Sequence, residues 1–453
     1  MEKTEISKIA DTIKGHLSGN KKILITGVSI DSRTTKKGDI FFAIKGENLD
    51  GHDFVKDAVF NGAAGIVVQS PKSKVRCPVI VIKDTVKGLQ DLAKYYRNKF
   101  NVKVIGITGS NGKTTTKDIL RAVLSQKTPV LSTQGNFNNH IGLPLTLFQL
   151  EKKHRYCVLE MGTNHKGEIA CLCKISSPSV GIVTNIGTAH ICNFGSLKNI
   201  LKEKTELFNS LGSNGIAVMN NDDEFITSFA QNLKCKKITF GMKNKADVTA
   251  CDISLKSEST TFSLQYPPEK RKEKIVLPVA GLFNVYNALA AASAAVTLGY
   301  SFNEIAAGIR NFVPPVCRME TINLKNGIVI VNDSYNANPT SMRLAIENFA
   351  KIFYNNRKIL VLGDMLELGE MEIAEHKKIG EFIKTNNYAD NVLTVGDLAK
   401  NITAQSGGVW FENKNKLSQY LKKNLKYGDA VFFKASRKIA LEDVVNSLMT
   451  NTY

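Results

Sequence analysis

Short apolar runs recur along the whole chain, and longer stretches with helical periodicity separate them. An apolar run too short for a helix, bounded by turn residues, reads as a buried strand. Before about residue 100 such runs fall at 23–25, 40–44, 65–68 and 79–82, with helical patterns at 52–61 and 86–99. A second set follows at 104–108, 156–160, 180–184 and 215–219, again alternating with helical patterns. The stretch 248–266 alternates apolar and polar positions as an antiparallel hairpin does. An Ala-rich helix is expected over 284–298, and Ser301 with Glu304 forms a capping box that opens the next helix. After Pro314-Pro315 a third set lies at 328–332, 358–362, 391–395 and 429–434.

Strands that are apolar on both faces and alternate with helices predict parallel sheets covered by helices. A chain of 453 residues suits about three domains. The expected fold class is α/β in three domains. A small α/β domain would span 1–100, a central domain on a parallel sheet 101–315, and a C-terminal, doubly wound, Rossmann-like domain 316–453.

Composition adjusts this picture only slightly. A hydrophobic fraction of 43% with 22% charged residues is ordinary for a globular protein. The net charge of +19 would attract polyanions, a nucleotide-linked substrate or nucleic acid among them. The basic residues are scattered, as at Lys243, Lys245, Lys270, Arg271 and Lys272, and form no tail, so nucleic acid is not the expected ligand. The apolar stretch 277–300 is broken by Asn284 and Asn287, so no membrane insertion is expected. The charged start Met1-Glu-Lys-Thr-Glu lacks the apolar segment of a secretory leader. Eight cysteines without a Cys-x-x-Cys pair suggest reduced thiols in the cytoplasm.

The candidate chemistry begins at the second set of runs. Val104-Ile-Gly-Ile-Thr-Gly-Ser-Asn-Gly-Lys-Thr-Thr-Thr116 is an apolar strand, a Gly-rich turn and the start of a helix. That order makes a phosphate cradle. Gly109 and Gly112 let backbone N–H groups close on a polyphosphate, Lys113 reaches its outer oxygens, and a threonine hydroxyl, Thr114 by position, can ligate Mg²⁺. The usual G-x-x-x-x-G-K-[ST] pattern would need a glycine at Ile107; here the loop is the shorter G-x-x-G-K-T-T from Gly109. The central domain is therefore expected to be a P-loop ATPase.

Other polar groups sit at strand tips, where the sites of such sheets form. Glu160 ends the run Cys157-Val-Leu-Glu160 and is either a cation ligand or a loop cap. His190 closes Val183-Thr-Asn-Ile-Gly-Thr-Ala-His190 and is either structural or functional. Lys204 lies on an amphipathic helix and reads as a solvated lysine by its pattern alone. Asn332-Asp-Ser-Tyr-Asn-Ala-Asn-Pro339 is an Asx-rich turn or a binding loop. Arg318 is a hinge residue or a phosphate ligand.

Taken together, these motifs resemble the Mur ligases, the ATP-dependent enzymes that build the peptidoglycan stem peptide. The resemblance rests on Gly109-Ser-Asn-Gly-Lys-Thr-Thr115, Glu160-Met-Gly, Thr184-Asn-Ile-Gly-Thr-Ala-His190 and Asn284-Val-Tyr-Asn287-Ala-Leu-Ala-Ala. Asp31-Ser-Arg33, Gly38-Asp-Ile-Phe-Phe-Ala-Ile-Lys-Gly46 and Asp50-Gly-His-Asp-Phe54 are similar to the members that add the later residues. Asn136-Phe-Asn-Asn139-His-Ile-Gly-Leu-Pro144, Asp333-Ser-Tyr-Asn-Ala-Asn-Pro339 and Leu362-Gly-Asp-Met-Leu-Glu-Leu-Gly369 narrow it to the member that adds D-alanyl-D-alanine to UDP-N-acetylmuramoyl-tripeptide.

The resemblance implies roles. Gly109, Ser110, Asn111, Gly112, Lys113, Thr114 and Thr115 would hold the ATP phosphates. Thr114 and Glu160 would bind one Mg²⁺, and Glu160, His190 and a carbamylated Lys204 would hold a second. Lys113, Glu160, His190 and Lys204 would be the catalytic set. Asn287 would contact adenine, while Arg318 and Asp333 would contact ribose or phosphates. Ser32 and Arg33 would meet the UDP end of the substrate in the N-terminal domain, and Asn138 and Asn139 would contact the UDP-sugar substrate in the central domain. Tyr335, Asn336 and Asn338, with the loop from Asp364 to Leu368, would form the dipeptide pocket of the C-terminal domain. Two positions depart from the family pattern: Ala435 replaces the glycine of a Lys-Gly-Ser-Arg turn, and Phe283 stands where a histidine is usual.

The implied reaction makes an acyl phosphate from the substrate carboxylate and ATP, which the dipeptide amine then attacks; the C-terminal domain would close over the reactants. The enzyme would be a cytoplasmic monomer serving peptidoglycan, cell shape and division. Rivals are a ligase adding the third residue, disfavoured by Asp333 to Pro339, and a folylpolyglutamate synthase, which lacks the N-terminal Ser-Arg block. A non-catalytic or nucleic-acid-binding ATPase is disfavoured by the joint presence of Glu160, His190 and Lys204.

Overall fold

The computed structural model describes residues 1–70, 74–231 and 233–450. Three main sheets lie in succession along the chain. The first has five strands in the order His16–Ser18, Val79–Val81, Gly65–Val68, Asp39–Phe42, Gly27–Ser29. All its pairings are parallel except that of the edge strand His16–Ser18. The stretch expected as one helix over 52–61 divides into a 3₁₀ turn, Gly51–Phe54, and a short helix, Val55–Phe60. Asp50 caps the turn by accepting from His52 N–H.

The helix Thr85–Arg97 covers this sheet. Asp84 caps it by accepting from Lys87 N–H, and its Leu89, Leu92, Ala93 and Tyr96 are buried. The same helix ties the first sheet to the second. Tyr96 packs on Phe100 and Phe148, and its hydroxyl donates to Leu150 O at 3.0 Å. One continuous apolar cluster runs from Ile6 and Ile40 through Tyr96 to Leu159 and Leu207.

The central sheet has nine strands. From one edge they run Arg271–Leu277, Thr260–Tyr266, Val248–Leu255, Lys236–Gly241, Ile216–Asn220, Val180–Val183, Lys103–Thr108, Tyr156–Glu160, Val130–Ser132. The first two pairings are antiparallel and the rest parallel. The hairpin expected at 248–266 is present and gains a third strand, Arg271–Leu277. Its first four residues are charged, which hides it from an apolar search, but Ile275 and Leu277 point into the core. Lys103–Thr108 lies inside the sheet, flanked by Val180–Val183 and Tyr156–Glu160, so its C-terminal end sits between two other strand tips. Three helices, Lys113–Leu124, Leu282–Thr297 and Phe302–Arg310, cover one face. The capping box at Ser301 and Glu304 is formed. A Cβ on Gly308 would lie 2.4 Å from the Val123 Cα, so glycine permits that helix pair to touch.

The third sheet has the order Glu320–Asn323, Val329–Asn332, Asp429–Lys434, Arg357–Gly363, Asn391–Val395, Val409–Phe411 and is parallel beyond its first pair. Separate apolar clusters lie on its two faces, as a doubly wound unit requires. The turn at Ala435 needs no left-handed backbone: Ala435 is absent from the positive-φ residues and is fully buried. Its methyl faces Gly363, where an added Cβ would come within 2.7 Å of it. The glycine missing from one strand end is supplied on the neighbouring strand. Among the described residues no helix is long and apolar enough to cross a membrane.

Candidate active site

The strand Lys103–Thr108 is buried from Val104 onward and delivers the chain to Gly109 and Gly112, with φ of 148° and 83°. A Cβ on Gly109 would lie 1.9 Å from Thr184 Oγ1, and one on Gly112 would lie 2.1 Å from Asn287 Oδ1. No other residue fits either place. The neighbouring strand tip pins the loop: Ser110 N–H donates to Asn185 O and Asn111 N–H to Asn185 Oδ1, both at 3.0 Å, while Thr184 donates to Asn111 O at 2.6 Å. The helix Lys113–Leu124 follows at once with no side-chain cap. Its first N–H groups are therefore available to an anion, reinforced by the helix dipole.

Two lysines converge on one acceptor. Lys113 Nζ donates to Gly109 O at 2.8 Å and Lys204 Nζ donates to the same oxygen at 3.2 Å. Lys204 is only 2% exposed, although its helix, Leu197–Asn209, is amphipathic. Burial first, and the neighbouring Lys113 second, push the Lys204 amine well below the ordinary lysine range; Glu203 acts against them. Lys113 is half-buried, and burial lowers its pKa; Glu160 opposes and Arg318 reinforces the shift. Glu203 itself faces away, accepting from Gly167 N–H at 2.7 Å and Ile169 N–H at 2.8 Å, which anchors the helix that carries Lys204.

Glu160 ends its strand 4% exposed. Oε1 accepts from Asn138 Nδ2 at 2.8 Å, and Oε2 is buried without a hydrogen-bond partner. An orphaned carboxylate oxygen beside a half-buried lysine and a helix N-terminus fits a hard cation held near bound phosphates. Thr114 could add a hydroxyl; here its Oγ1 accepts from Arg318 at 3.0 Å. Among the described residues no three His, Cys, Asp or Glu side chains form a metal-binding group. His190 lies at the seam with the C-terminal domain, its Nδ1 2.6 Å from Glu367 Oε2 and off the line of a hydrogen bond. This contact is the largest cause holding the Glu367 carboxyl below its usual range.

The C-terminal domain meets the loop at several points. Arg318 reaches Thr114 and stacks on the Tyr335 ring, 4.0 Å from its centroid, with Arg437 at 5.9 Å. Asn338 caps the helix Pro339–Ile352 with its oxygen and donates from Nδ2 to Asn111 Oδ1 at 2.9 Å. Asp333 is fully engaged: one oxygen pairs with Lys434 and the other accepts from Met319 N–H at 3.2 Å. Lys434 also donates to Asn336 O at 3.0 Å. Lys434 was not among the expected site residues; its signal was its place at the end of an entirely buried strand.

Several expected ligand residues hold backbone instead of lying open. Asn139 Oδ1 accepts from Ile141 and Gly142 N–H, Asn336 Oδ1 from Ala337 N–H, and Asp364 Oδ1 from Leu398 and Ala399 N–H. Burial pushes the Asp364 carboxyl up. Asn287 is buried beneath Gly112, bonded to Asn284 and Thr116, and meets the loop from below. Ser32 is buried in its 3₁₀ turn, while the Arg33 side chain is 86% exposed and paired with Asp31. Ser32 and Arg33 belong to the first sheet's unit, apart from the loop.

The Mur ligase family, catalytic domain, matches residues 24–97; the Mur ligase middle domain matches 107–295; and the Mur ligase, glutamate ligase domain, matches 317–437. The UDP-N-acetylmuramoyl-tripeptide--D-alanyl-D-alanine ligase of Bacillus subtilis is 36% identical over 99% of both chains. Among solved structures, MurF from Acinetobacter baumannii superposes with a TM-score of 0.92 at 33% identity over the whole of both chains. MurF ligase from Thermotoga maritima, in complex with ADP, gives 0.85 at 30% identity, covering 94% of this chain and 97% of that one.

Proposed function

The chain belongs to the Mur ligase family, and from that membership we infer its reaction: ATP-dependent joining of D-alanyl-D-alanine to UDP-N-acetylmuramoyl-tripeptide through an amide bond, with ADP and phosphate released. The observation that carries the chemistry is the meeting at one loop of Lys113, Lys204, the unpartnered oxygen of Glu160 and, from the C-terminal domain, Arg318. A substrate carboxylate is a poor acyl donor because oxide is a poor leaving group. Transfer of the ATP γ-phosphoryl group to it makes an acyl phosphate, and the dipeptide amine displaces phosphate. Lys113 and the uncapped helix N–H groups bind and align the phosphates, and Arg318 supplies a further positive charge from across the seam. A divalent cation held by Glu160, with Thr114, would neutralise charge on the transferring phosphoryl oxygens.

Finer assignments follow the same reading. His190 and Lys204 are placed as partners of a second cation, Lys204 as a carbamate. Its burial favours the neutral amine, which attacks CO₂ and loses a proton to give the carbamate. A ¹³CO₂ signal that persists in Lys204→Ala would overturn that assignment. The unit at 1–100, with Ser32 and Arg33, takes the UDP end, and Asn138 and Asn139 the sugar side. The unit at 316–453 takes the dipeptide near Tyr335, Asn336, Asn338 and Asp364, with Asp333 near the ribose. For Asn287 we propose support of the loop beneath the nucleotide. The enzyme acts as a cytoplasmic monomer in peptidoglycan synthesis, and so in cell shape and division; eight free thiols and nucleotide-linked substrates support that compartment.

The test is phosphate release from ATP. It should require UDP-N-acetylmuramoyl-tripeptide and D-alanyl-D-alanine together. Release with either alone, or stimulation by DNA, sinks the reading.

A further inference from the structure

His190 and Glu367 come from different domains and meet Nδ1 to Oε2 at 2.6 Å. Both hold left-handed backbone, with φ of 57° and 65°. For a residue with a Cβ that conformation is strained, and it persists where the surroundings over-determine it. Two such residues facing each other across a seam mark a place where both backbones are bent to bring two side chains together.

The surroundings are specific. On the C-terminal side, Met365 N–H donates to His376 Nε2 and Leu366 N–H to Ser436 Oγ, both at 2.9 Å. Asp364 O accepts from Ser436 N–H at 2.9 Å, so each of the three residues before Glu367 is held. On the central side, His190 opens the one-turn helix Ile191–Phe194, and its carbonyl accepts from Asn193 N–H at 3.0 Å. Gly187, three residues earlier, donates to Ser110 of the phosphate loop at 2.8 Å. The two loops touch again just beyond: a Cβ on Gly369 would lie 3.0 Å from Cys192 Cβ, and glycine lets the chains approach.

We propose that Glu367 is a positioning residue for His190: it holds the proton on Nδ1 and leaves the Nε2 lone pair for a group bound at the phosphate loop, an arrangement complete only while the C-terminal domain is docked. The inference rests on the ligase reading for what His190 does, though not for the contact itself. The hydrogen bond made by one imidazole nitrogen fixes the tautomer and so sets what the other can do. Glu367 Oε2 lies 2.6 Å from Nδ1 but outside hydrogen-bond geometry, so the proposed bond requires the ring to turn. Glu367 thereby gives the C-terminal domain a second way to act on the site, besides Arg318.

The test uses the full-length, nucleotide-free protein labelled with ¹⁵N-histidine, with His190 assigned by its loss in His190→Asn. Long-range ¹H–¹⁵N correlation should find His190 mainly protonated on Nδ1. Glu367→Ala should move it toward the Nε2-protonated form, whereas Glu367→Gln, whose amide oxygen still accepts, should not. In ligation, Glu367→Ala should lower kcat by about 10–100-fold, with KM for ATP and the UDP-substrate within about twofold, and Glu367→Gln should recover most of it. Glu367→Gly removes the backbone strain, so it should melt no lower than wild type and still lose kcat as Ala does. An unchanged His190 resonance in Glu367→Ala, equal loss in Ala and Gln, or full kcat in Gly would each overturn the proposal. A His190 that responds in a protein that does not ligate would keep the contact and sink the ligase reading.

Discussion

The phosphate loop and the seam pressed against it by the C-terminal domain are built in opposite ways. On the loop side the groups are fixed by one another and by the adjacent strand tip. Gly109 and Gly112 are each hemmed in by a neighbouring side chain, Ser110 and Asn111 are bonded to the adjacent strand tip, and Lys113 and Lys204 share one carbonyl. On the seam side the contacts with the site are single side-chain ones: a hydrogen bond from Arg318 to Thr114, one from Asn338 to Asn111, one between Thr188 and Thr340, and a Glu367 oxygen at His190. A single hydrogen bond contributes about 0.5–1.5 kcal/mol, so these side chains hold the loop weakly, whereas away from it Leu282 N–H donates to Asn348, Thr321 donates to Ser257 O, and one apolar cluster runs through both domains. The phosphate cradle is built within the central domain, and the C-terminal domain adds single side chains to it.

The strongest way to break this contrast is at the loop. Lys113→Ala should lower kcat by about 10²–10³-fold, the scale for losing one charge-stabilising donor in an enclosed site. Its affinity for the UDP-substrate, measured by calorimetry, should change less than about twofold. Equal loss of both would mean that the loop and the N-terminal unit do not act separately.

Gly112→Ala comes next. Its φ of 83° alone costs about 1–2 kcal/mol in a residue with a Cβ, and the new methyl would strike Asn287 Oδ1. Gly167 provides the control, with a φ of 86° and open space around the missing Cβ. Urea unfolding should find Gly112→Ala clearly less stable than Gly167→Ala, and only the former should lose ATP binding. Equal effects would show that the loop is held by its backbone alone.

These loop residues were also the most legible in the sequence. Strand, glycines, lysine and helix are contiguous, so the geometry of Gly109 to Thr115 is local. Lys204 is the contrary case. Its helix has an ordinary amphipathic pattern, and its buried ammonium finds its acceptor 95 residues away in the chain, which no local pattern encodes. The Asx-rich segments fall between. Asn139, Asn336 and Asp364 close backbone turns in the structure, and the same side chains would serve a ligand, because an Asx oxygen accepts a hydrogen bond equally from a turn or from a substrate. The three-domain layering could be read because buried parallel strands are apolar on both faces. The edge strands Val130–Ser132 and Arg271–Leu277, and the internal strand Lys236–Gly241, were hidden by brevity or by charge.

At the seam a smaller effect is expected. Asn338→Asp keeps the oxygen that caps the helix Pro339–Ile352 but removes the donor to Asn111. Stability should hold within about 0.5 kcal/mol, while KM for ATP rises about five- to tenfold, the equivalent of one hydrogen bond. A loss of stability without a change in KM would move Asn338 from the seam to the interior of its own domain.

The smallest effect tests whether the seam, rather than the loop, answers to pH. His376 is fully buried; its Nε2 accepts from Met365 N–H at 2.9 Å and its Nδ1 contacts Glu372 O. Acceptance at Nε2 requires the neutral ring, and burial lowers the pKa from its ordinary 6.5 despite opposition from Glu372 O and Asp364. In the unfolded chain the ring titrates near 6.5, so the unfolded state binds the extra proton first. The stabilisation is therefore complete above that pH and is lost as the pH falls toward and through the lower folded value. Relative to His376→Gln, which does not titrate, wild type should lose stability below pH 6.5, no more steeply than about 1.4 kcal/mol per pH unit, the limit for one proton. Because His376 holds Met365, two residues before Glu367, the same acidification should loosen the seam loop while the fluorescence of a nucleotide analogue on the central domain stays constant. A parallel loss of analogue binding would place the pH-sensitive element in the phosphate loop and remove the distinction between the two sides.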